Sequence, residues 1–292
     1  MNRSLPLFRP PAEADSLILR IADGCPWNRC TFCGMYKEVS YRVRPWEMVC
    51  DEIRRTAALI PHTRRVFLAD GDVMALPFDT LRNLLELLNG SFPRLARVNL
   101  YANGHSILRK SDEELHRLRL LKLDTLYMGL ESGDEATLRE VCKRERVERM
   151  VEAGSRARSA GLKMSVTVLT GLAGRRDSSR HAIATAGALN RMQPQLLSAL
   201  RVIPVPGTAL YLAQRNGHFQ VLTEYENIEE LLTMIKHLNL SKTVFRANHS
   251  SNIVPLEGRL PKDKERLENQ LQTLLASGTL DTGSPGLLPL SL

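Results

Sequence analysis

The sequence predicts an α/β fold, a partial (β/α)6 TIM-like barrel with a C-terminal helical extension. Short apolar runs alternate along the chain with longer stretches of helical periodicity, which is the pattern of parallel strands joined by helices. Hydrophobic residues make up 43% of the chain, which indicates a folded core. A length of 292 residues suits a single barrel domain of this class.

Six runs fit buried strands, because each is short, apolar and followed by polar or glycine residues. The predicted strands cover residues 16–21, 65–69, 96–101, 125–130, 163–169 and 197–203. Helical periodicity lies between them, over residues 45–60, 78–89, 112–121, 146–160 and 178–192. Ser111 and Glu114 predict a capping box at the start of the third helix. We therefore predict a core barrel over residues 16–210, preceded by a lead-in over residues 1–15.

The C-terminal part of the chain predicts an extension over residues 211–277 that covers the barrel opening. Its helices are expected at residues 227–237 and 262–276. Between them, residues 245–252 are unusually polar, and we expect this segment to cross the opening and face a substrate. The end of the chain, residues 278–292, is rich in Gly, Ser, Pro and Leu and predicts a mobile tail.

The charge balance is basic, with 40 Lys and Arg against 32 Asp and Glu and a net charge of +8, which favours anionic partners. The basic residues form scattered pairs such as Arg54-Arg55 and Arg175-Arg176, so nucleic acid is permitted without being indicated. No apolar run reaches the roughly 18 residues that a membrane span needs. The first residues also lack the apolar segment of a secretory signal. We therefore expect a cytoplasmic protein without a membrane partner.

Three cysteines lie within nine residues directly after the first predicted strand, in the loop Cys25-Pro-Trp-Asn-Arg-Cys30-Thr-Phe-Cys33. A [4Fe–4S] cluster normally takes four thiolates, one for each iron. A site that is one protein ligand short keeps a position open for chemistry. The loop therefore predicts a cluster with an open iron, and its Trp27 and Phe32 can shield that cluster from water.

Two other readings of the cysteines are open. A zinc site could be completed by a distant histidine, such as His62 or His105. A disulfide is less favoured, because the chain has five cysteines and no signal peptide is predicted. The two cysteines outside the loop, Cys50 and Cys142, stand alone in the sequence.

Polar and glycine residues follow each predicted strand. In α/β barrels the active site lies at the carboxyl ends of the strands, so these residues are expected at one rim. They are Asp70-Gly71-Asp72 after the second strand, Asn103-Gly104-His105 after the third, Glu131-Ser132-Gly133 after the fourth, Thr170-Gly171 after the fifth and Pro204-Val205-Pro206-Gly207 after the sixth.

The cysteine loop and the strand-end motifs together resemble the radical S-adenosylmethionine (radical SAM) superfamily, in particular its Fe–S oxidoreductase-like branch, over residues 17–206. One departure is that four residues separate the first two cysteines, where the common loop has three. The resemblance implies a [4Fe–4S] cluster on Cys25, Cys30 and Cys33 whose fourth iron chelates S-adenosylmethionine (SAM). It also implies reductive cleavage of SAM to a 5′-deoxyadenosyl radical that abstracts hydrogen from a substrate.

The resemblance assigns roles at the methionine end of SAM. Asp70, Gly71 and Asp72 stand where the superfamily has its Gly-Gly-Glu motif, which receives the methionyl ammonium. Asp72 is the first candidate and Asp70 the alternate, and a plain turn is the competing interpretation. Asn103 is a candidate for the methionyl carboxylate.

At the nucleoside end, Glu131 and Ser132 match the fourth-strand position whose polar side chain often binds the ribose hydroxyls. An ion pair at the barrel rim is the alternative for Glu131. Gly171 resembles the fifth-strand glycine that lets adenine approach the backbone. Val202 is expected to pack against the adenine.

The residues that would act on the substrate are not assigned, and the candidates are His249 as acid or base, Arg246 for an anionic group and Cys142 as a hydrogen donor. We expect a small anionic substrate and an electron donor such as flavodoxin or ferredoxin. The alternatives are a radical SAM enzyme that modifies RNA, a non-catalytic Fe–S carrier or chaperone, and a zinc-stabilised binding protein.

Overall fold

A computed structural model of the chain describes residues 7–286. These residues form two compact units. The first unit comprises the residues up to 28 together with residues 38–128 and 155–164. The second comprises residues 29–37, residues 129–154 and the residues from 165 onwards. The domain boundaries expected at residues 15, 210 and 277 stay predictions.

Parallel strands form the centre of the first unit. Strands β1, β4, β5 and β6 pair in that order, with parallel registers such as Leu19 opposite Leu68. Strands β2 and β3 form a short antiparallel pair beside the cysteine loop. The bounds are β1 Leu17–Arg20, β2 Ala22–Asp23, β3 Arg42–Val43, β4 Arg65–Ala69, β5 Arg97–Tyr101 and β6 Leu123–Glu131, of which the last three residues belong to the second unit.

The helices of the first unit are amphipathic, and each buries an apolar face, as Leu81 and Leu84 do in α2. The capping box of α4 is present as predicted, since the Ser111 side chain accepts from Glu114 N–H and the Glu114 side chain accepts from Ser111 N–H. The bounds are α1 Trp46–Leu59, α2 Phe78–Ser91, α3 Gly104–Leu108 and α4 Asp112–Leu120.

A buried carboxylate fixes the lead-in within the first unit. Glu13 is 2% exposed and accepts hydrogen bonds from Ser16 Oγ at 2.6 Å, Asn99 Nδ2 at 2.7 Å and Tyr127 Oη at 2.5 Å. Burial, and then the bond to Glu13, raise the pKa of Tyr127. Because Asn99 lies on β5 and Tyr127 on β6, this carboxylate holds two neighbouring strands.

In the second unit, β7, β8 and β9 pair in parallel, and β10 runs antiparallel to β9. Helix α6 begins in this unit and ends in the first. The bounds are α5 Glu135–Glu140, α6 Val147–Ser159, β7 Lys163–Thr170, α7 Gly174–Met192, β8 Leu196–Arg201, α8 Ala209–Arg215, α9 Glu224–His237, β9 Thr243–Ala247, β10 Leu256–Leu260 and α10 Lys264–Ala276. The first two residues of β7 belong to the first unit.

The six predicted strands are all present, which confirms the α/β fold class with mostly parallel strands. The segment predicted to be polar, residues 245–252, begins within strand β9, and its crossing of the barrel opening stays a prediction. Phe245 is fully buried on β9, where exposed and buried side chains alternate. Strand β10, which pairs with β9, was not predicted.

The tail makes specific contacts over its described part. The N–H groups of Glu224 and Tyr225 donate to the carbonyls of Ser284 and Asp281, and Arg201 Nη1 donates to the carbonyl of Pro285. The rest of the predicted mobile tail, residues 287–292, lies outside the described residues. Among residues 7–286, no helix combines the length and the apolar character that crossing a membrane requires.

Candidate cofactor-binding site

The first half of the cysteine loop lies against Gly71 in the first unit. Gly71 has φ +55°, and a Cβ at this position would overlap the carbonyl oxygen of Gly24 and lie 3.0 Å from Cys25 Cα. Only glycine fits such a close approach of two backbones without displacement. The predicted Asp70-Gly71-Asp72 motif therefore contacts the start of the cysteine loop.

The second half of the loop is anchored within the second unit by Thr31 and Phe32. Thr31 N–H donates to the carbonyl of Val141 at 2.9 Å, and the carbonyl of Thr31 accepts from Leu210 N–H at 3.0 Å. Phe32 packs against the apolar cluster of Val141, Leu172, Val202 and Leu210. Cys30 and Cys33 are thereby held on a fixed segment, and Cys33 N–H donates to the carbonyl of Cys30 at 3.3 Å.

The donor set of the loop fits an iron–sulfur cluster. Cys25, Cys30 and Cys33 form no disulfide and are partly exposed, as an accessible cluster requires. Within residues 7–286, no three His, Cys, Asp or Glu side chains converge as ligands of one metal ion. A cubane places each thiolate on a separate iron, so its sulfur ligands do not meet at one point.

The structure brings Asp72 and Asn103 together at the ends of β4 and β5. The Asp72 carboxylate accepts from Asn103 N–H at 3.3 Å, from Asn103 Nδ2 at 3.1 Å and from Ser106 Oγ at 2.5 Å. The alternate candidate, Asp70, pairs with Arg20 Nε at 2.8 Å. Both carboxylates are buried, so their donors fix their orientation.

Glu131, predicted at the fourth strand end, is paired with Lys143. Lys143 Nζ lies 3.1 Å from Glu131 Oε1, and the two side chains are 9% and 13% exposed. Glu131 has φ +62°, an uncommon backbone conformation for a residue other than glycine. Its carboxylate occupies the space that a Cβ on Gly129 would fill. Ser132, fully buried, accepts from Asp134 N–H at 2.9 Å.

Lys143 stays charged despite its burial. Burial lowers the pKa of Lys143, but the Glu131 carboxylate and the Cys30 thiolate raise it by more, so that the pKa lies above its ordinary value of 10.5. The second unit therefore holds a buried ammonium, paired with Glu131, that is protonated at neutral pH. A cation in such surroundings can pair with an anionic ligand group as well as with Glu131.

At the ends of β7 and β8, Gly171 and Val202 line a cavity of about 410 Å³. Gly171 has φ +78° and its N–H donates to Glu230 Oε1 at 2.7 Å. The same oxygen of Glu230 lies 3.1 Å from His181 Nδ1, and Ser178 Oγ donates to the other. Glu230 is 3% exposed, so this buried carboxylate of α9 fixes the loop after β7.

The model of the radical SAM superfamily matches residues 19–186, more than half of the chain. The chain belongs to the radical SAM superfamily. It is a radical SAM enzyme, and the cofactors of this superfamily are a [4Fe–4S] cluster and SAM. A comparison with curated proteins found no match.

Solved structures of radical SAM enzymes have a similar fold. Methylornithine synthase (PylB) is 15% identical, with a TM-score of 0.51 and coverage of 89% of this chain and 81% of that chain. Coproporphyrinogen III oxidase (HemN) from Escherichia coli is 17% identical, with a TM-score of 0.56 and coverage of 76% and 51%. The methyltransferase TsrM from Kitasatospora setae is 17% identical, with a TM-score of 0.55 and coverage of 68% and 39%. These likenesses show the fold and confirm the predicted fold class.

The residues predicted to act on the substrate lie in different parts of the second unit. Arg246 lies on β9, opposite Ser198 and Glu257 in neighbouring strands. His249 follows β9, and its Nδ1 accepts from Ser251 N–H at 3.1 Å. Burial lowers the pKa of His249 below its ordinary value of 6.5, which favours the neutral ring.

Sequence reasoning missed three residues of the candidate site: Lys143, Asn227 and Glu230. Each is a single polar residue in a helix or loop, and a lone residue carries no spacing signal. These residues are identified by their contacts with other residues, such as the ion pair of Lys143 with Glu131. Such contacts are visible only in the three-dimensional structure. Cys142, the remaining catalytic candidate, precedes Lys143 and is exposed, with φ +55°.

Proposed function

We propose that Cys25, Cys30 and Cys33 hold a [4Fe–4S] cluster with which the protein cleaves SAM reductively and removes hydrogen from a small anionic substrate. Cys25, Cys30 and Cys33 would hold the cluster, which when reduced would supply the one electron needed to cleave the sulfonium of SAM into methionine and a 5′-deoxyadenosyl radical. The protein's own residues bind and orient SAM and exclude water. Gly71 supports this assignment, because it lets the motif after β4 approach Cys25 closely.

The observation that carries the proposal is the buried Lys143 ammonium beside Glu131 and close to Cys30. SAM presents a methionyl carboxylate and a ribose diol. Lys143 can pair with the carboxylate, while Glu131 accepts hydrogen bonds from the diol. A buried ammonium and carboxylate at a strand end suit this ligand better than a plain rim ion pair.

For the methionyl ammonium we propose the motif after β4. The Asp72 carboxylate, oriented by Asn103 and Ser106, is the first candidate acceptor. Asp70 pairs with Arg20 and is the alternate. Asn103 remains the second candidate, after Lys143, for the methionyl carboxylate. Ser132, which follows Glu131, is buried and accepts from Asp134 N–H, is a further candidate for the ribose.

The nature of the substrate is proposed from charge. A net charge of +8 favours an anionic molecule, and Arg246 is the candidate side chain for its charged group. An electron donor such as flavodoxin or ferredoxin would reduce the cluster. The five cysteines form no disulfide, which suits a reducing compartment such as the cytoplasm.

Electron paramagnetic resonance tests the open iron directly. Anaerobically reconstituted protein is reduced with dithionite, and the spectrum of the cluster is recorded with and without SAM. We expect SAM to shift the signal, because chelation changes the ligands of one iron. An unchanged spectrum from an intact cluster would mean a closed site, as in an electron carrier, and would contradict the proposal.

The substrate class is tested by the yield of 5′-deoxyadenosine with mixtures of anionic metabolites, with cationic ones and with RNA. Stimulation by an anionic fraction supports the proposal. Stimulation by RNA alone, with a steep loss at higher salt concentration, would instead favour nucleic-acid modification.

A further inference from the structure

Exposed basic side chains lie on and beside the second half of the cysteine loop, within the second unit. Lys37 Nζ donates to the carbonyl of Cys30 at 3.0 Å, so one ammonium lies directly on the loop. Thr31 N–H donates to the carbonyl of Val141 at 2.9 Å, which places residues 139–146 against the loop. The exposed basic side chains of these two segments, which we call the basic surface, are Arg29, Lys37, Arg139, Arg144 and Arg146.

Two arginines of the basic surface carry uncompensated charge. Arg139 and Arg146 form no ion pair and no side-chain hydrogen bond with residues 7–286. Arg191 on α7, by contrast, pairs with a carboxylate at 2.6 Å. Among residues 29–37 and 139–146 the acidic residues are Glu140, which is exposed, and Glu145, which is buried. Positive charge that is not neutralised within the protein attracts anionic partners.

Two exposed apolar side chains lie on elements that contact the same part of the loop. Met35 follows Cys33 by two residues and is 38% exposed, and Leu212 on α8 is 60% exposed. Helix α8 touches the loop, because Leu210 N–H donates to the carbonyl of Thr31 at 3.0 Å. Met and Arg are enriched in protein–protein interfaces. The composition of this surface therefore suits a protein partner.

The position of the basic surface indicates what such a protein would do. Cys30 and Cys33 are two of the proposed cluster ligands and are partly exposed. The rate of electron transfer between proteins falls steeply with distance, so a donor has to dock beside the ligands of the acceptor. Electron-transfer complexes bury small areas and are weak, and opposite charges steer their association. A basic surface with a few exposed apolar side chains meets these requirements.

We infer that the basic surface is the docking site of an acidic electron-transfer protein that reduces the cluster. The inference rests on the proposed function and deepens it, because it assigns the electron donor to one face of the second unit. The docked donor loses one electron, the oxidised cluster gains it, and no bond forms or breaks. RNA is the competing occupant of a basic surface, and the experiments separate the two.

Stopped-flow mixing with a reduced flavodoxin tests the docking directly. Reconstituted protein without SAM is mixed anaerobically with flavodoxin hydroquinone, and the absorption of the cluster gives the second-order rate constant of its reduction. In the charge-reversal variant Arg139→Glu with Arg146→Glu, this rate constant should fall at least about tenfold at low salt. The matched control, Lys242→Glu with Lys262→Glu, changes the net charge equally. It should keep the wild-type rate, because both exposed lysines lie at the amino end of β9.

Salt provides a second measurement, which uses wild type alone. The rate constant with flavodoxin should fall as the salt concentration rises, because ions screen the attraction between the two proteins. A rate that does not depend on salt, an equal loss of rate in the control variant, or no reduction of the wild-type cluster by flavodoxin would overturn the inference.

Reduction by dithionite guards against a damaged fold. Dithionite is a small reductant that needs no docking surface, so the charge-reversal variant should match wild type in its reduced cluster signal and its yield of 5′-deoxyadenosine. In the milder variant Arg139→Gln with Arg146→Gln, the rate constant with flavodoxin should lie between those of wild type and the charge-reversal variant. A wild-type rate in the milder variant would contradict the inference.

The competing occupant is tested by titration with a fluorescently labelled single-stranded RNA. We expect the wild-type and control proteins to bind it equally weakly. Tight binding of RNA that the charge-reversal variant loses, with an unchanged rate of reduction by flavodoxin, would overturn the inference and assign the basic surface to nucleic acid.

The two proposals fail separately. If dithionite yields 5′-deoxyadenosine but flavodoxin reduces all variants at the same rate, the proposed function stands and the docking site is wrong. If charge reversal slows the reduction by flavodoxin but SAM is not cleaved, the docking site stands and the reductive cleavage is wrong.

Discussion

Asn103 donates two hydrogen bonds to the carboxylate of Asp72, one from its backbone N–H and one from its side-chain amide. Asp72 follows β4 and Asn103 follows β5, so these bonds join the ends of neighbouring parallel strands. Ser106, at the start of α3, adds a third donor to the same carboxylate. The carboxylate is thereby oriented before any ligand binds, which lowers the entropic cost of binding.

Asp72→Asn should weaken SAM binding while sparing the cluster. Asparagine offers one acceptor oxygen in place of two and carries no charge, so an ammonium loses its ionic partner. We expect the affinity for SAM to fall by about tenfold or more, because a hydrogen bond to a charged group contributes that much to binding. Calorimetry with oxidised, reconstituted protein measures it, with iron content as a check. Asp79→Asn on α2, whose carboxylate is 74% exposed, is the control, and unchanged binding by Asp72→Asn would move the role to Asp70.

Lys143→Met should destabilise the fold, because it leaves the Glu131 carboxylate buried without its cation. Removing one partner of a buried ion pair costs about 3 kcal/mol. In the double variant Lys143→Met with Glu131→Gln, the loss in the free energy of unfolding should be smaller than the sum of the losses in the two single variants. Urea unfolding of the three variants completes the cycle, and additive losses would mean that the pair is not coupled.

Cys30→Ala should remove most of the iron from the protein, because two thiolates rarely hold a cubane. Cys142→Ala is the matched control, since Cys142 is an exposed thiol outside the loop, and it should keep the wild-type iron content. Iron analysis and the absorption of the cluster provide the measurement. Full iron and an unaltered spectrum in Cys30→Ala would refute the cluster assignment.

Two glycines near α7 should respond in opposite ways to alanine. A Cβ on Gly133 would overlap the carbonyl oxygen of Ala184 and lie 2.5 Å from Thr185 Cα, so Gly133→Ala should cost about 1–3 kcal/mol. Gly187 is an exposed position within α7, and a Cβ there would meet no atom within 4 Å. Gly187→Ala should stabilise by about 0.5–1 kcal/mol. Thermal unfolding decides, and equal effects would mean that α7 does not pack on the loop after β6 as described.

Asp134 should contribute stability that is lost in acid. Burial raises the pKa of Asp134, but hydrogen bonds from Thr137 and Arg180 lower it by more, to below its ordinary value of 3.8. A carboxyl whose pKa is lower in the folded state stabilises above the unfolded pKa, and this stability is lost as the pH falls through the folded pKa. Asp134→Asn should therefore be about 1 kcal/mol less stable near neutral pH, with a smaller difference below about pH 4. Urea unfolding across this range checks it, and a difference independent of pH would show that the charge does not matter.

The sequence predicted most clearly the features that depend on local pattern. β4 spans the predicted residues, because its apolar run is bounded by Arg64 and by Asp70, and the capping box of α4 follows from two residues three apart. β9 was harder to predict, since its buried positions include Thr243 and Ala247 while Val244 is exposed. Hydropathy alone does not identify such a segment as a strand, because the packing of neighbouring strands determines which of its side chains are buried.

The candidate site, too, could be predicted only in part. The cysteine loop and the strand-end motifs could be identified from spacing, whereas the partners that orient them could not. Glu230 reaches Gly171 across 59 positions of sequence, and the contact depends on how α9 packs beside β7. Packing of this kind follows from the summed burial of many side chains and leaves no short motif.

The most direct test of the account is the formation of 5′-deoxyadenosine. Anaerobically purified and reconstituted protein is reduced with dithionite and incubated with SAM, and the products are quantified by mass spectrometry, with Cys30→Ala as the control. We expect 5′-deoxyadenosine and methionine in equal amounts from wild type and neither from the variant. An intact cluster in wild type without any cleavage of SAM would contradict it.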